Sequence, residues 1–440
     1  MHFIRILGSI SLAASMVLGT SIGPVAADED QSIGPAFTND AQQADWRQYR
    51  GSADHRGWNQ VESTLSVSNV SQLRILWRAG GGFNSSPAVA NGVVYNGDAG
   101  PSAYSPDCAS GGAYCSPLWH GNAGYPDWAS PAIGAGMVFM QSVHGLYAYR
   151  VGCRADGGSC EPVWTGTDAS AAYSSPAYAN GMLFLGTQFG ELQAYDVNAC
   201  ANAGGPCAPT WTAPLAGEPQ SSPAVSKGIV YIAGPDAFLY AYGARCATGG
   251  GTCSPIWKAD IHAQTSSSPA VANGVVYIPN RSGEVLAFAV GCASSGNTCQ
   301  PIWTGVTGGY IHASPAVTDD MLYIASGRRL FAFAVGCGSN GSVCQPVWRS
   351  SKSGVGGMIA ASPAVANGVV YVGTQGKFQG TGRLVAYNAE CLDADAVCAP
   401  IFRSRLLGGM VNSSPAVSHG QVYIASNGGT FYAFGLPATP

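Results

Sequence analysis

Residues 268–278 read Ser-Pro-Ala-Val-Ala-Asn-Gly-Val-Val-Tyr-Ile, and versions of this stretch occur eight times in the 440-residue chain. Asn273-Gly274, set between two short apolar runs, predicts a two-residue hairpin turn whose central residues have positive φ. The Ser-Pro-Ala triplet recurs at intervals of 44 to 52 residues, with its proline at Pro87, Pro131, Pro176, Pro223, Pro269, Pro315, Pro363 and Pro415. A period of this length indicates a solenoid or a ring of equivalent units.

Each unit predicts four strands. In the unit that contains Pro269, the hairpin is followed by a third apolar run at 284–290 and a fourth at 300–303. The fourth run ends in an aromatic residue in each of the first seven units, and the same feature precedes the first unit; these residues are Trp77, Trp119, Trp164, Trp211, Trp257, Trp303, Trp348 and Phe402. We therefore predict an all-β fold, an eight-bladed β-propeller of four-stranded antiparallel blades.

The two ends of the repeat array predict how the ring closes. The last unit stops after its third apolar run, 430–434, and an orphan strand, 73–77, precedes the first unit. Pairing these two segments completes the last blade with the N-terminal strand and covers both exposed strand edges. The predicted division is a signal peptide at 1–27, a lead segment at 28–72, the propeller at 73–436 and a tail at 437–440.

The N-terminal sequence and the composition indicate where in or outside the cell the protein is located and which classes of partner it has. Arg5, an apolar run at 6–18 and Pro24-Val25-Ala26-Ala27 are typical of a cleaved signal peptide. Charged residues make up 10% of the chain and the formal net charge is −4, which argues against nucleic acid or an anionic membrane as partner. We expect a secreted monomer, extracellular or periplasmic, without a membrane span.

The 14 cysteines form seven pairs, each separated by seven residues. An even count, a fixed local spacing and a signal peptide together predict disulfides within each pair. Metal sites use other spacings, such as Cys-x2-Cys, so no metal is expected here. The predicted bridges are Cys108–Cys115, Cys153–Cys160, Cys200–Cys207, Cys246–Cys253, Cys292–Cys299, Cys337–Cys344 and Cys391–Cys398.

One register of the repeat varies while its neighbours do not. The residue before each proline is always Ser, and the one before that is Ser or Ala. The third residue before the proline differs between units, giving Asn84, Trp128, Tyr173, Gln220, Ser266, His312, Ala360 and Asn412. A variable ring on a fixed frame is typical of a binding site on a repeat scaffold. The alternative is that these are ordinary loop residues around a wet channel.

The turns between second and third strands are expected on the same face as this ring. They contribute Asp98, His144, Gln188, Asp236, Arg281, Arg328, Arg329 and Lys377. The proposed binding residues are Asn84, Trp128, Tyr173, Gln220, His312, Asn412, Gln188, Asp236, Arg281 and Arg328. We predict no catalytic residue, because the chain after the predicted signal peptide has no Gly-x-Ser-x-Gly elbow, phosphate-binding loop or histidine pair with ligand spacing.

The repeat, with its Leu-x-Ala-Phe third strand and closing Trp, resembles the PQQ-type propeller repeat. The entry segment Asp45-Trp46-Arg47-Gln48-Tyr49-Arg50-Gly51, with His55, Gly57 and Asn59, resembles that family as well. The resemblance covers nearly the whole mature chain and implies a ring like that of quinoprotein alcohol dehydrogenases and of the outer-membrane assembly scaffold. The cysteine loops replace the family's tight turn before the tryptophan, which suggests a disulfide-reinforced secreted branch.

The two relatives imply different functions. Quinoprotein dehydrogenases imply PQQ and calcium, and here Trp128 could stack on the quinone while Asp98 or Asp236 supplies a carboxylate. The chain lacks their adjacent cysteines and a Cys-x-x-Cys-His haem motif, and its variable ring is uncharged. We therefore favour a non-catalytic propeller that binds a ligand or protein and expect no cofactor. A PQQ- and calcium-dependent alcohol or sugar dehydrogenase is the alternative, and a surface structural protein is a third.

Overall fold

The computed structural model describes residues 45–437 apart from 82, 98–99, 125–127, 171–172, 293–297, 353–356, 377–380 and 392–395. Several predicted features lie outside the described residues: the signal peptide, residues 438–440 of the tail, and the turn residues Asp98 and Lys377. The predicted domain boundaries stay predictions. None of the described helices has the length and apolar character needed to cross a membrane.

The chain forms the predicted eight-bladed ring, and each Ser-Pro-Ala triplet leads into the innermost strand of a blade. The first strands are Ala88–Ala90, Ala132–Gly134, Ala177–Ala179, Ala224–Ser226, Ala270–Ala272, Ala316–Val317, Ala364–Ala366 and Ala416–Ser418. The second strands are Val93–Gly97, Met137–Ser142, Met182–Gly186, Ile229–Ala233, Val275–Pro279, Met321–Ser326, Val369–Thr374 and Gln421–Ser426. At the turn between them, Asn273 and Gly274 have φ of 51° and 79°, as the hairpin prediction requires.

The outer strands complete each antiparallel blade. The third strands are Pro101–Tyr104, Gly145–Arg150, Glu191–Asp196, Phe238–Gly243, Glu284–Ala289, Arg329–Ala334, Thr381–Asn388 and Thr430–Gly435. The fourth strands of blades one to seven are Trp119–Gly121, Trp164–Gly166, Trp211–Pro214, Trp257–Asp260, Trp303–Val306, Trp348–Ser350 and Phe402–Arg403. Arg74–Gly80 is the fourth strand of blade eight and pairs antiparallel with Thr430–Gly435, which confirms the predicted closure.

Blade eight and blades one to six each carry one strand more than the sequence predicts. The added strand is short, runs parallel to the fourth strand and comes from the cysteine loop of the following blade. These strands are Ala113–Tyr114, Ser159–Cys160, Gly205–Cys207, Gly251–Thr252, Thr298–Cys299, Ser342–Cys344 and Val397–Cys398. The blades are therefore five-stranded, and each cysteine loop both closes its own hairpin and joins two blades.

The joint between blades seven and eight has no such loop. Blade eight borrows its fourth strand from the N-terminus and so has no cysteine loop to offer. Blade seven instead gains Leu407–Gly408 on its third strand and Trp58–Asn59 on its first. Its closing aromatic, Phe402, is half-buried, whereas the seven tryptophans at this register are fully buried.

All seven predicted disulfides are present, and the described residues hold no free cysteine. Such a set of bridges is typical of an oxidising compartment. The tryptophans pack between blades: Trp303 stacks on Phe333 of the next blade at 6.4 Å, and its Nε1 donates to the Val335 carbonyl at 3.0 Å. Short elements complete the fold, namely the α-helix Val197–Ala203, capped by Asp196, and the 3-10 helix Val70–Gln72.

The lead segment fills one end of the central channel. Residues of this segment hydrogen-bond to one backbone group in each of the eight first strands. Seven first strands donate an N–H, and the eighth accepts from the Asn59 side chain. The acceptors are the carbonyl oxygens of Trp46, Arg47, Ala53, Asp54, Arg56 and Gly57 and the Gln48 side chain. The residue bonded in each first strand lies two places after the repeat proline in every blade: Val89, Ile133, Tyr178, Val225, Val271, Val317, Val365 and Val417. We call residues 46–59 the hub. It gives buried backbone groups of all eight blades a partner.

Arg50 is the buried cation of the hub. Its guanidinium donates to the carbonyl oxygens of Pro315, at 2.8 Å, and Pro363. Burial lowers the pKa of Arg50 to about 10. Gly57 packs so closely that a Cβ there would lie 2.0 Å from an Arg50 nitrogen, and its φ of 61° also favours glycine.

Candidate functional site

The serines that precede the repeat prolines form a closed ring around the axis. In each blade the serine N–H donates to the Oγ of the serine in the next blade, at 2.8 to 3.1 Å. The eight members are Ser86, Ser130, Ser175, Ser222, Ser268, Ser314, Ser362 and Ser414. We call this ring the serine belt. It explains why this register is Ser in every unit: only a small side chain with an acceptor fits and closes the ring.

Above the belt the axis opens into a cavity of about 310 Å³. Tyr49 of the hub forms its floor, with the phenol oxygen 3.1 Å from Ser314 Oγ and 3.2 Å from Ser362 Oγ. The lining includes belt serines and Gln375, and it contains all eight residues of the variable ring: Asn84, Trp128, Tyr173, Gln220, Ser266, His312, Ala360 and Asn412. The repeat register thus brings residues more than 300 positions apart into one site.

One wall of the cavity is aromatic. Trp128 and Tyr173 come from adjacent blades, with ring centroids 6.4 Å apart and planes inclined by 36°. Their side chains are 38% and 40% exposed, whereas the tryptophans that close the blades are buried. Large apolar rings left open at the mouth of a cavity provide stacking surface for a ligand.

The neighbouring part of the wall, contributed by blades seven, eight and one, consists of amides. Gln375 Nε2 donates to Asn412 Oδ1 at 2.9 Å, and Asn412 Nδ2 donates to Asn84 Oδ1 at 3.1 Å. Each amide has two donors and two acceptor lone pairs, so this chain leaves further groups for a ligand. These bonds also fix the orientation of the three side chains before anything binds.

His312 and Gln220 complete the lining. His312 Nδ1 lies 2.7 Å from Ser266 Oγ, and burial lowers the pKa of His312, with Arg281 lowering it further. Near neutral pH the imidazole is therefore uncharged. Arg281 Nη2 donates to Gln220 Oε1 at 2.6 Å, so this arginine stands behind the amide and not in the lining.

The turn residues are placed less uniformly than the variable ring. Gln188 bonds Ser170, and Asp236 accepts a hydrogen bond from Tyr240, so both are engaged within their own blades. Arg328 lines a separate cleft. Of the four turn residues proposed for binding, only Arg281 reaches the lining, through Gln220. The sequence argument did not identify Tyr49 or Gln375, although Tyr49 lies in the entry segment that it singled out.

The described lining does not fit calcium with a tricarboxylic quinone. It contains amide and hydroxyl oxygens but no Asp or Glu, whereas calcium sites in proteins rely on carboxylates. It also contains no Lys or Arg to meet the cofactor's carboxylates. No group of three or more His, Cys, Asp or Glu within the described residues is placed to hold a metal. What the lining offers is neutral hydrogen bonding beside an aromatic face.

Comparison with known proteins agrees with the fold. A family model described as outer membrane protein assembly factor BamB matches residues 247–438. No curated protein matches the chain. Quinohemoprotein alcohol dehydrogenase from Comamonas testosteroni is 13% identical, with a TM-score of 0.63 over 91% of this chain and 83% of that one.

Two further solved structures are similar. BamB from Moraxella catarrhalis is 15% identical, with a TM-score of 0.55 over 84% of this chain and 99% of that one. The computationally designed Ika8 protein is 12% identical, with a TM-score of 0.62 over 82% of this chain and 100% of that one. At these identities the likeness concerns the fold alone, and the set includes both an enzyme and a protein named as an assembly factor.

Proposed function

Since the chain is an eight-bladed propeller of PQQ-type repeats stapled by seven disulfides, we propose that it is a secreted, monomeric, non-catalytic binding protein. Its ligand occupies the axial cavity and is neutral and polyhydroxylated, such as a saccharide. The observation that carries the proposal is that the variable residues of all eight repeats line one cavity without a formal charge among its described residues.

The chemistry of the lining supports this class of ligand. Saccharide hydroxyls both donate and accept, as do the amides of Asn84, Asn412 and Gln220 and the belt hydroxyls. The C–H face of a pyranose is apolar and matches the exposed rings of Trp128 and Tyr173. A volume of about 310 Å³ is at the low end of the roughly 300–1,000 Å³ usual for ligand pockets, which suits one or two sugar rings.

The test is calorimetric titration with a panel of neutral mono- and disaccharides. We expect saturable binding by at least one of them, lost in Trp128→Ala with Tyr173→Ala. The matched control is Phe189→Ala, since Phe189 is 61% exposed and lies outside the cavity lining. The proposal fails if no saccharide binds the wild-type protein, or if the double variant binds as well as the control.

A second titration distinguishes the dehydrogenase alternative. The protein is incubated with PQQ and calcium, and bound quinone is measured by absorbance after gel filtration. Dye reduction is then followed with a panel of alcohols and sugars. We expect no stoichiometric uptake, because the lining described above has neither carboxylates for calcium nor cations for the quinone. Uptake of one PQQ per chain would establish the alternative.

A further inference from the structure

A second cavity lies on the same face, in the cleft between blades five and six. Its volume is about 400 Å³. One side is the end of blade five at 307–309, and the other is blade six, with Ser326, Gly327 and Phe331. Four cations converge on this cleft: Arg328, Arg329, Arg349 and Lys352. We call it the basic cleft.

No described carboxylate neutralises these four charges. None of the four takes part in any ion pair within 4.0 Å among the described residues. The neighbouring positions 353–356, whose structure is not described, are Ser-Gly-Val-Gly and carry no acid. The chain as a whole has a net charge of −4, so the cluster is not part of a generally basic surface. Four like charges in one cleft repel one another unless an anion joins them.

Strand register explains how two of the cations meet. Arg349 on the fourth strand stands opposite Phe331 on the third. Arg329 lies two residues before Phe331 and therefore on the same face of the sheet. At these two registers blade five has Glu284 and Thr304, so the basic pair is not a requirement of the repeat.

A comparison with blade seven shows which cation of the cluster has a structural role. It has Arg383 and Arg403 at the same two registers, and Arg383 donates to the Ser404 carbonyl just as Arg329 donates to that of Ser350. The third-strand arginine thus ties the third strand to the fourth in both blades. What distinguishes blade six is that Arg328 and Lys352, both exposed, converge on its exposed Arg349.

We propose that the basic cleft binds a phosphate or sulfate group. Guanidinium groups donate paired N–H bonds that match the oxygen spacing of such anions, and an ammonium adds a compact charge. The hydroxyls of Thr307 and Ser326 also lie in the lining, but they bond each other at 2.8 Å and Thr307 donates to the Gly283 carbonyl, so the cations carry the recognition. The site is separate from the axial cavity and does not depend on the saccharide proposal.

The test uses calorimetric titration of the full chain with inorganic phosphate, inorganic sulfate and glucose 6-phosphate, with glucose as the uncharged probe. The variant is Arg349→Gln with Lys352→Gln, which leaves the structural bond of Arg329 in place. The matched control is Arg403→Gln with Arg405→Gln, which removes the same charge from exposed positions in blade seven. Free anion and sugar-borne anion are distinguished by the two phosphate probes.

We expect saturable binding of at least one anion, weakened about tenfold or more in the blade-six variant, as for loss of one charge-assisted hydrogen bond. The blade-seven control should bind like the wild type, and binding should weaken as sodium chloride is raised. Equal losses in the two double variants would mean a general field effect and overturn the site. The absence of saturable binding by every anion would overturn it as well.

Discussion

The serine belt yields a quantitative prediction from a comparison of two adjacent residues, Ser222 in the belt and Ser221 beside it. Ser222 Oγ accepts the Ser175 N–H at 2.9 Å, and both serines are buried. Ser222→Ala therefore leaves a buried backbone donor without its partner, which costs about 1–3 kcal/mol. The cavity beside the belt can admit a replacement water, so the lower half of that range is the expected result.

Ser221→Ala is the matched control. Ser221 Oγ makes only long hydrogen bonds, from the Ala233 N–H at 3.3 Å and to the Ser222 carbonyl at 3.4 Å. Three other units have alanine at this register, so a methyl group packs there. We expect a smaller cost than for Ser222→Ala, because the 3.3 Å bond that is lost is longer than the roughly 2.7–3.2 Å of an ordinary N–H···O bond.

The assay is urea unfolding with disulfides intact, followed by tryptophan fluorescence. Because the free energy of unfolding falls linearly with urea, the two midpoints are comparable when their slopes agree. Ser222→Ala should have the lower midpoint. If Ser221→Ala unfolds at the same urea concentration or earlier, the belt does not hold the inner strands together as argued.

Three further predictions concern other parts of the molecule. Acrylamide should quench a fluorescence component that disappears in Trp128→Phe, because the seven blade-closing tryptophans are buried while Trp128 is 38% exposed; unchanged quenching would contradict the open aromatic wall. Burial and nearby Arg50 lower the pKa of His55 to about 3, so unfolding takes up a proton below about pH 6.5. The free energy of unfolding of the wild type should fall from pH 6.5 toward pH 3 by up to about 1.4 kcal/mol per pH unit, and less steeply in His55→Gln. Equal dependence on pH in the two proteins would refute this. Mass spectrometry of unreduced peptides should find all seven links within hairpins, such as Cys246–Cys253, and links between blades would refute the pairing.

The sequence predicted what the repeat itself determines. A period of one blade, an Asn-Gly turn and an unpaired terminal strand such as 73–77 are local signals, and together they predicted the ring and its closure. The fifth strands could not be predicted in this way. Their partners belong to the neighbouring unit, so they depend on how blades pack and not on any pattern within one repeat.

The same distinction, between what one repeat determines and what contacts in three dimensions determine, applies to the candidate site. The register three places before each proline predicted the cavity lining, because strand direction sends that position to the axis in every blade. The turn residues were less predictable, since local bonds decide where each side chain points; Asp236, for example, is bonded to Tyr240. The hub is not repetitive at all, and only its contacts in three dimensions reveal that it serves all eight blades.

The partners of the N-terminal residues have a consequence for the timing of folding. The hub and Arg74–Gly80 precede the first blade along the chain, yet they find neighbours as distant as Val417 and Thr430–Gly435. Such long sequence separations make folding slow, and the ring cannot close until Thr430–Gly435 has been synthesised. Until then Arg74–Gly80 lacks its partner strand, and the ring stays open at the joint that completes blade eight.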